Sequence, residues 1–136
     1  MAKYSGANFA FSFGGTAMAA HIQSFAGFDV ENILEDSKTF GDTWAEVLAT
    51  GDKQASDVEA EGFYDDAAGG PSAVFLAAYT ATTGPASAAT ACIITWGSTK
   101  TSSFNAYVAK FTRIAARNTI TRYKVNLKVT GAVTEA

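Results

Sequence analysis

The pattern that most constrains the fold is a strict alternation near the end of the chain. Every second residue from position 123 is apolar: Tyr123, Val125, Leu127 and Val129. The residues before and between them are polar: Arg122, Lys124, Asn126 and Lys128. A period of two residues is typical of a strand with one buried face and one solvated face. We therefore expect this segment to lie in a sheet that packs on a core.

Other segments are also extended. "NFAFSF" places three phenylalanines on one face of a strand: Phe9, Phe11 and Phe13. Residues 21–35 form a second extended region whose periodicity breaks near Gly27, which indicates a bulge or a corner. Further strands are expected at residues 54–64, at "ACIITW" and at "FNAYVAKF".

One amphipathic helix is expected within "DSKTFGDTWAEVLATG". Its apolar face would take positions i, i+4, i+7 and i+8: Phe40, Trp44, Val47 and Leu48. Thr39 and Asp42 fit a capping box at its start, and Gly51 is placed to end it in a left-handed conformation. Replacing Trp44 with Ala should then cost several kcal/mol, as truncation of a buried aromatic does.

The fold class that these elements predict is mainly β with one short helix (α+β). At 136 residues the chain fits a single domain, residues 1–136, with one core. The architecture expected is a β-sandwich or a partly open β-barrel with a flanking helix. Residues 72–79 fit either a short helix or a buried strand. The small-residue segment at 80–90 is expected to be a flexible loop.

Charge is sparse and unevenly placed. The net charge is −3, which argues against a protein whose main task is to grip a nucleic-acid backbone. An acidic row lies on one face of the strand expected at residues 54–64: Asp57, Glu59 and Glu61. A basic row lies on the last strand: Arg122, Lys124 and Lys128. Complementary rows on separate strands are features that a self-associating subunit can use, and they predict an inter-subunit contact.

No catalytic or metal-binding constellation emerges from the sequence. Asp65 and Asp66 adjoin a Gly-Gly-Pro turn, so solvated carboxylates are favoured over a cation site. His21 has no nucleophile motif to serve, and Cys92 lies in an apolar strand without a flanking cation. We therefore expect a protein that is not an enzyme and that has no cofactor and no metal. No apolar run is long enough to span a bilayer, and no membrane partner is expected.

Three segments together resemble one protein family. "ILEDSKTFGDTWAEVLATG", then "EGFYDD", and finally "YKVNLKVTGAV" are similar, in order and spacing, to segments of the tail tube (major tail) proteins of bacteriophages with long, non-contractile tails. The resemblance extends over residues 22–133. Residues 71–89 carry no matching signature.

The resemblance implies a structural virion protein of the phage tail. Its subunits would form hexameric rings that stack into a tube, and the tube would conduct the genome into the bacterial host. Implied partners are other copies of the chain, the tape measure, terminator and distal tail proteins, and double-stranded DNA that passes without specific binding. Such a subunit is made in the host cytoplasm. The resemblance also places the acidic row on the tube lumen or against a neighbour's basic strand.

Two other readings of the sequence stay open. A tail terminator or a head-tail connector has a similar fold but forms a single ring. A carbohydrate- or protein-binding β-sandwich module would instead be a stable monomer with Trp44 or Trp96 in its pocket.

Overall fold

The computed structural model describes residues 9–41, 43–44, 46–66, 68–97 and 99–136. Within them the chain forms nine strands, one α-helix and a 3₁₀ helix at Ala19–His21. The strands are β1 (Ala10–Phe13), β2 (Thr16–Ala17), β3 (Ser24–Ala26), β4 (Val30–Asp36), β5 (Val47–Ala55), β6 (Val58–Phe63), β7 (Thr90–Thr95), β8 (Thr101–Ile114) and β9 (Arg122–Glu135). The α-helix, α1, is Pro71–Ala81.

Seven strands form one sheet in the order β2-β1-β7-β8-β9-β6-β3, and each printed pairing is antiparallel. The remaining two, β4 and β5, pair only with each other as a separate hairpin. The large sheet curls into a half-barrel, so the expected mainly β class with a partly open barrel and one helix is confirmed.

The two ends of the curled sheet meet through aromatic side chains. Phe25 lies on β3 at one end, and its ring centroid is 4.9 Å from that of Phe9 and 5.2 Å from that of Phe11, both next to or on β1. Four strands separate β1 from β3 in the sheet, so this contact bridges the open side of the half-barrel. Burial of aromatic surface here favours curling over a flat sheet.

The core lies on the concave side of the sheet. The alternation expected for the last strand is confirmed, because Tyr123, Val125 and Leu127 are fully buried. The helix α1 covers this side through Phe75, whose ring is 4.9 Å from Phe13 and 6.0 Å from Tyr123 between centroids. The half-barrel, the helix and the buried phenylalanines thus form one hydrophobic cluster.

The expected helix at residues 39–48 was misplaced. The helix is instead α1, in the segment that fitted either a helix or a strand. It begins with Pro71 at its first turn, where the missing N–H costs nothing. Its core-facing residues follow helical spacing: Pro71, Val74, Phe75 and Ala78. That spacing and the proline were available in the sequence as signals for this helix.

The segment expected to be a helix forms the tip and second strand of the β4–β5 hairpin. Its proposed apolar face is exposed to solvent: Phe40, Trp44, Val47 and Leu48. Thr39 precedes a turn at Phe40–Gly41, and Asp42 lies outside the described residues. Gly51 does have a positive φ, of 89°, but within β5, where the register shifts opposite Ile33. The glycine therefore supports a strand irregularity and not a helix end.

Residues 82–89 connect α1 to β7 as a loop, within the segment expected to be flexible. The Ser87 hydroxyl accepts hydrogen bonds from the backbone N–H groups of Thr83 and Gly84, and the Tyr107 hydroxyl donates to the Ser87 carbonyl. These bonds hold the loop at one point, and its flexibility stays a prediction.

Two aromatic truncations separate the observed fold from the expected one. Phe75→Ala should lower the free energy of unfolding by about 3–5 kcal/mol, because it opens a cavity among buried rings. Trp44→Ala should change it by less than about 0.5 kcal/mol, because the side chain is 84% exposed. Urea denaturation of the unassembled subunit measures both. Equal costs for the two variants would contradict the hairpin.

Alkaline pH should report on the buried thiol. Burial raises the pKa of Cys92 from 9.0 to about 12. Above pH 9 the unfolded chain releases a proton that the folded chain retains, so the free energy of unfolding falls by about 1.4 kcal/mol per pH unit from this group. We expect Cys92→Ala to flatten this dependence between pH 8 and pH 10, measured by urea denaturation. An unchanged slope would show that the thiol is accessible in the folded state.

Candidate assembly surfaces

The β4–β5 hairpin, hereafter the arm, is held at its root by backbone geometry. The Ser56 N–H donates to the Asp29 carbonyl at 2.8 Å, and the Asp29 N–H donates to the Ser56 hydroxyl at 2.8 Å. Gly27 has a φ of 94°, and a Cβ there would lie 2.6 Å from the Asp57 carbonyl oxygen. A side chain at position 27 would therefore separate the two chains of the root.

Phe28 ties this root to the core. Its ring stacks on Phe104 of β8 at 4.8 Å between centroids and lies 6.3 Å from Trp96. Beyond the root an open cleft of about 840 Å³ separates the arm from the end of β9 at Gly131–Val133. The arm is thus fixed at one end and stands away from the sheet.

The arm exposes an unusual amount of apolar surface. All seven residues of β4 are exposed, as are all of β5 except Ala55. The large apolar side chains exposed in the arm and its tip are Val30, Ile33, Leu34, Phe40, Trp44, Val47 and Leu48. Monomeric soluble proteins seldom expose so many apolar side chains on one projecting element. Four of these residues, Phe40, Trp44, Val47 and Leu48, are the ones that we assigned to a helix.

A second surface, the charged face, is the side of β6, β8 and β9 opposite the core. Strand pairing places Glu61 opposite Lys124, and Glu59 opposite Asn126. Lys124 Nζ lies 2.5 Å from Glu59 Oε1. The hydrogen bond and the negative charge of Glu59 raise the pKa of Lys124. The acidic and basic rows are therefore neighbours within one subunit, and Lys124 already has an acidic partner there.

The charged face also carries a cation that the sequence reasoning missed. Lys110 on β8 pairs in register with Asn126, which puts it on the same face as Lys124. The face thus combines both signs of charge: Asp57, Glu59 and Glu61 with Lys110, Arg122, Lys124 and Lys128. Its role toward a lumen or a neighbour stays a prediction.

A third surface is the turn between β8 and β9, hereafter the basic turn, which spans residues 113–122. It contains three arginines and no acidic residue: Arg113, Arg117 and Arg122. Ile114 and Ile120 are 48% and 67% exposed beside them. Arg122 is held by Gln23 and by the ring of Phe63, 5.2 Å from its guanidinium carbon. Arg113 and Arg117 are exposed.

The residues considered for catalysis or metal binding do not form one site. His21 lies in the 3₁₀ helix, and not in a strand, with Nδ1 3.9 Å from Asp65 Oδ2. Cys92 is buried on β7, and its raised pKa keeps the thiol protonated at neutral pH. In the described ranges, no group of three or more His, Cys, Asp or Glu side chains could hold a metal ion. No helix in these ranges is long and apolar enough to cross a membrane.

Comparison with known proteins identifies solved structures that share this fold. No protein-family model and no curated protein sequence matches the chain. A chain in the structure of the PVC extracellular contractile injection system, described as its sheath/tube terminator in the extended state, aligns with a TM-score of 0.75. It is 13% identical, and the alignment covers 100% of this chain and 98% of that one.

Two further solved structures have a similar fold. A chain of the anti-feeding prophage cap, a tube-terminating cap, has a TM-score of 0.76 at 14% identity, over 100% of this chain and 92% of that one. A chain of the virion of a native gene transfer agent particle has a TM-score of 0.75 at 9% identity, over 98% and 99%. At these identities the likeness shows the fold, which is that of chains from phage-like tails. The narrower resemblance to non-contractile tail tubes stays a prediction.

Proposed function

We propose that this protein is a structural subunit of a phage-type tail tube. Copies associate into hexameric rings, and the rings stack into a tube through which a genome passes into a bacterial host. The observation that carries this proposal is the arm, a rooted hairpin whose apolar side chains are exposed along its length. The fold shared with chains of tail-like particles over the whole length supports it.

The arm is an assembly element because only another molecule can bury its exposed apolar side chains. Leu34 and Leu48 are each more than half exposed, and the strands that carry them pair only with each other. Burial of such side chains contributes about 25 cal/mol for each Å² removed from water. A second copy is available at high local concentration in any ring or stack, so self-association buries this surface without another partner.

The sheet offers the means to close a ring. Its two outer strands, β2 and β3, are only two and three residues long. Short outer strands limit uncontrolled pairing between edges, while neighbours in a closed ring cover each other's edges. The half-barrel is thus suited to side-by-side association, and the arm to contacts between rings.

The charged face is suited to line a channel through which DNA passes without binding. Three carboxylates interrupt its cations, and one of them already pairs with Lys124. Phosphates bind tightly to continuous clusters of Lys and Arg, which this face does not present. We assign it to the lumen on this ground. The tape measure, terminator and distal tail proteins are the other expected contacts of such a tube in the virion.

A tube terminator is the second candidate function. Two of the similar folds belong to structures described as a sheath/tube terminator and a tube-terminating cap. A terminator forms one ring and stops there, whereas a tube subunit must present complementary surfaces at both ends. The binding module with Trp44 or Trp96 in its pocket would show neither behaviour and would remain a monomer.

Electron microscopy of the purified protein separates these functions. We expect negatively stained samples at high protein concentration to contain tubes of constant width and variable length, because both stacking surfaces lie on every subunit. Single closed rings would instead support the terminator. A stable monomer at every concentration would refute both assembly functions.

Substitutions in the arm test its role independently of folding. Leu34→Ser together with Leu48→Ser should prevent association, since both side chains would be buried only on assembly. The free energy of unfolding of the isolated subunit should change by less than about 1 kcal/mol, as for exposed positions. Light scattering and urea denaturation measure the two effects. Tyr79→Ser, on the exposed side of α1, is the matched control and should assemble normally.

A further inference from the structure

We infer that the basic turn of one copy is the docking site for the acidic tip of another copy's arm. This inference rests on the proposed function and names the contact that joins successive rings. It concerns two surfaces: the arm tip, the described residues of 34–48, and the basic turn, residues 113–122. Three observations carry it, namely their positions, their charges and their exposed apolar residues.

The arm root and the basic turn lie at opposite ends of the subunit. The basic turn leads into β9 at Arg122, and the pairing of β6 places Phe63 beside it. The other end of β6, at Val58, follows directly from the arm root at Ser56. The arm root also adjoins Gly131–Val133 across the cleft, near the other end of β9. Nine residues of strand separate Arg122 from Gly131, a span of roughly 30 Å.

This separation prevents the arm root and the basic turn from meeting within one subunit. A head-to-tail arrangement of copies brings the end that carries the arm against the end that carries the basic turn. Such a contact uses two different patches, so each added copy leaves the same pair of patches available at the two ends. The geometry therefore gives an open-ended stack with a fixed direction, which is what a tube requires.

The charges of the two surfaces are complementary. The described residues of the arm tip include three acidic residues and a single lysine: Glu35, Asp36, Glu46 and Lys38. The basic turn contains three arginines and no acid. Within the described ranges, Glu35, Glu46 and Arg117 are exposed and take part in no salt bridge. Opposite charges at this density steer association and exclude the reversed orientation, which would place like charges together.

Both surfaces also expose apolar side chains beside the charges. Ile114 and Ile120 flank the arginines of the basic turn. Val47 and Leu48 are in register with Asp36 and Glu35 on the paired strand, and Leu34 directly precedes Glu35 in the chain. Contact between the two would bury apolar surface on both sides while pairing the charges at its rim. This arrangement, an apolar centre within a charged rim, is that of a specific protein interface.

Charge reversal in the basic turn provides the test. Arg117→Glu should raise the protein concentration needed for tube growth by about tenfold or more, because it places like charges at the contact. Lys110→Glu is the matched control: Lys110 is an exposed cation within β8, on the charged face and at neither end of the sheet. It changes the net charge equally and should leave tube growth within about twofold of the wild type. Tube length in negative stain and pelleting on centrifugation report the result.

Charge reversal in both the basic turn and the arm tip tests whether the arginines contact the acidic residues of the arm. Arg113→Glu with Arg117→Glu should stop tube growth, and Glu35→Lys with Glu46→Lys should do the same. The variant with all four substitutions should regain tubes, because each arm again meets a turn of opposite charge. Urea denaturation of the unassembled variants checks that the subunit still folds.

The outcomes distinguish this docking from the proposed function. Wild-type protein that forms no tubes refutes the tube function, and the docking with it. Where the wild type forms tubes, three results would overturn the docking alone: normal tube growth of Arg117→Glu, equal loss of growth with Lys110→Glu, or no recovery in the fourfold variant. Loss with each pair and recovery with all four would establish it.

Discussion

The contact between Phe25 and the phenylalanines of β1 is the constraint on which the rest of the structure depends. It joins β3, at one edge of the seven-stranded sheet, to β1, next to the other edge. The Phe25 ring centroid is 4.9 Å from that of Phe9 and 5.2 Å from that of Phe11. With those ends held together, the sheet curls around a single concave core, and one helix carrying Phe75 suffices to cover it. A flat sheet of the same strands would leave these rings in water, at a cost that grows with the exposed apolar area.

The same constraint fixes where the arm leaves the subunit. Phe25 is the central residue of β3, and three residues later Phe28 stacks on Phe104. Between them Gly27 brings the chain against the Asp57 carbonyl, where a Cβ would lie at 2.6 Å. The direction of the arm is therefore set by core packing on one side of the glycine and by the Ser56–Asp29 hydrogen bonds on the other. A rigid root lets an otherwise exposed hairpin present its tip in a defined position.

Sequence reasoning predicted the strands with a buried face and, within residues 21–35, the first strand of the hairpin. It failed for the tip and the second strand of the hairpin. Alternation at Tyr123, Val125 and Leu127 reflects a burial that happens within the subunit, so a period of two identifies it. The spacing of Phe40, Trp44 and Val47 reflects no such burial, because these side chains are exposed in the isolated subunit. Apolar periodicity indicates secondary structure only where one chain buries its own apolar face. Conversely, the true helix was short, began with a proline and carried only one large buried side chain, Phe75, so its period was weak.

The acidic and basic rows show a second limit of reasoning from sequence alone. Sequence located Glu59 and Lys124 but could not give the register of β6 on β9, which brings them to 2.5 Å within one subunit. An ion pair that is satisfied internally adds little to a contact with a neighbour, and exposed pairs of this kind are weak. The docking that we propose uses other charges, those of the arm tip and of the basic turn. Because β9 runs between the arm root and the basic turn, the docking that we propose makes its length one determinant of the distance between successive contacts. Under that proposal, a strand that forms the core would also help to determine the spacing of the stack.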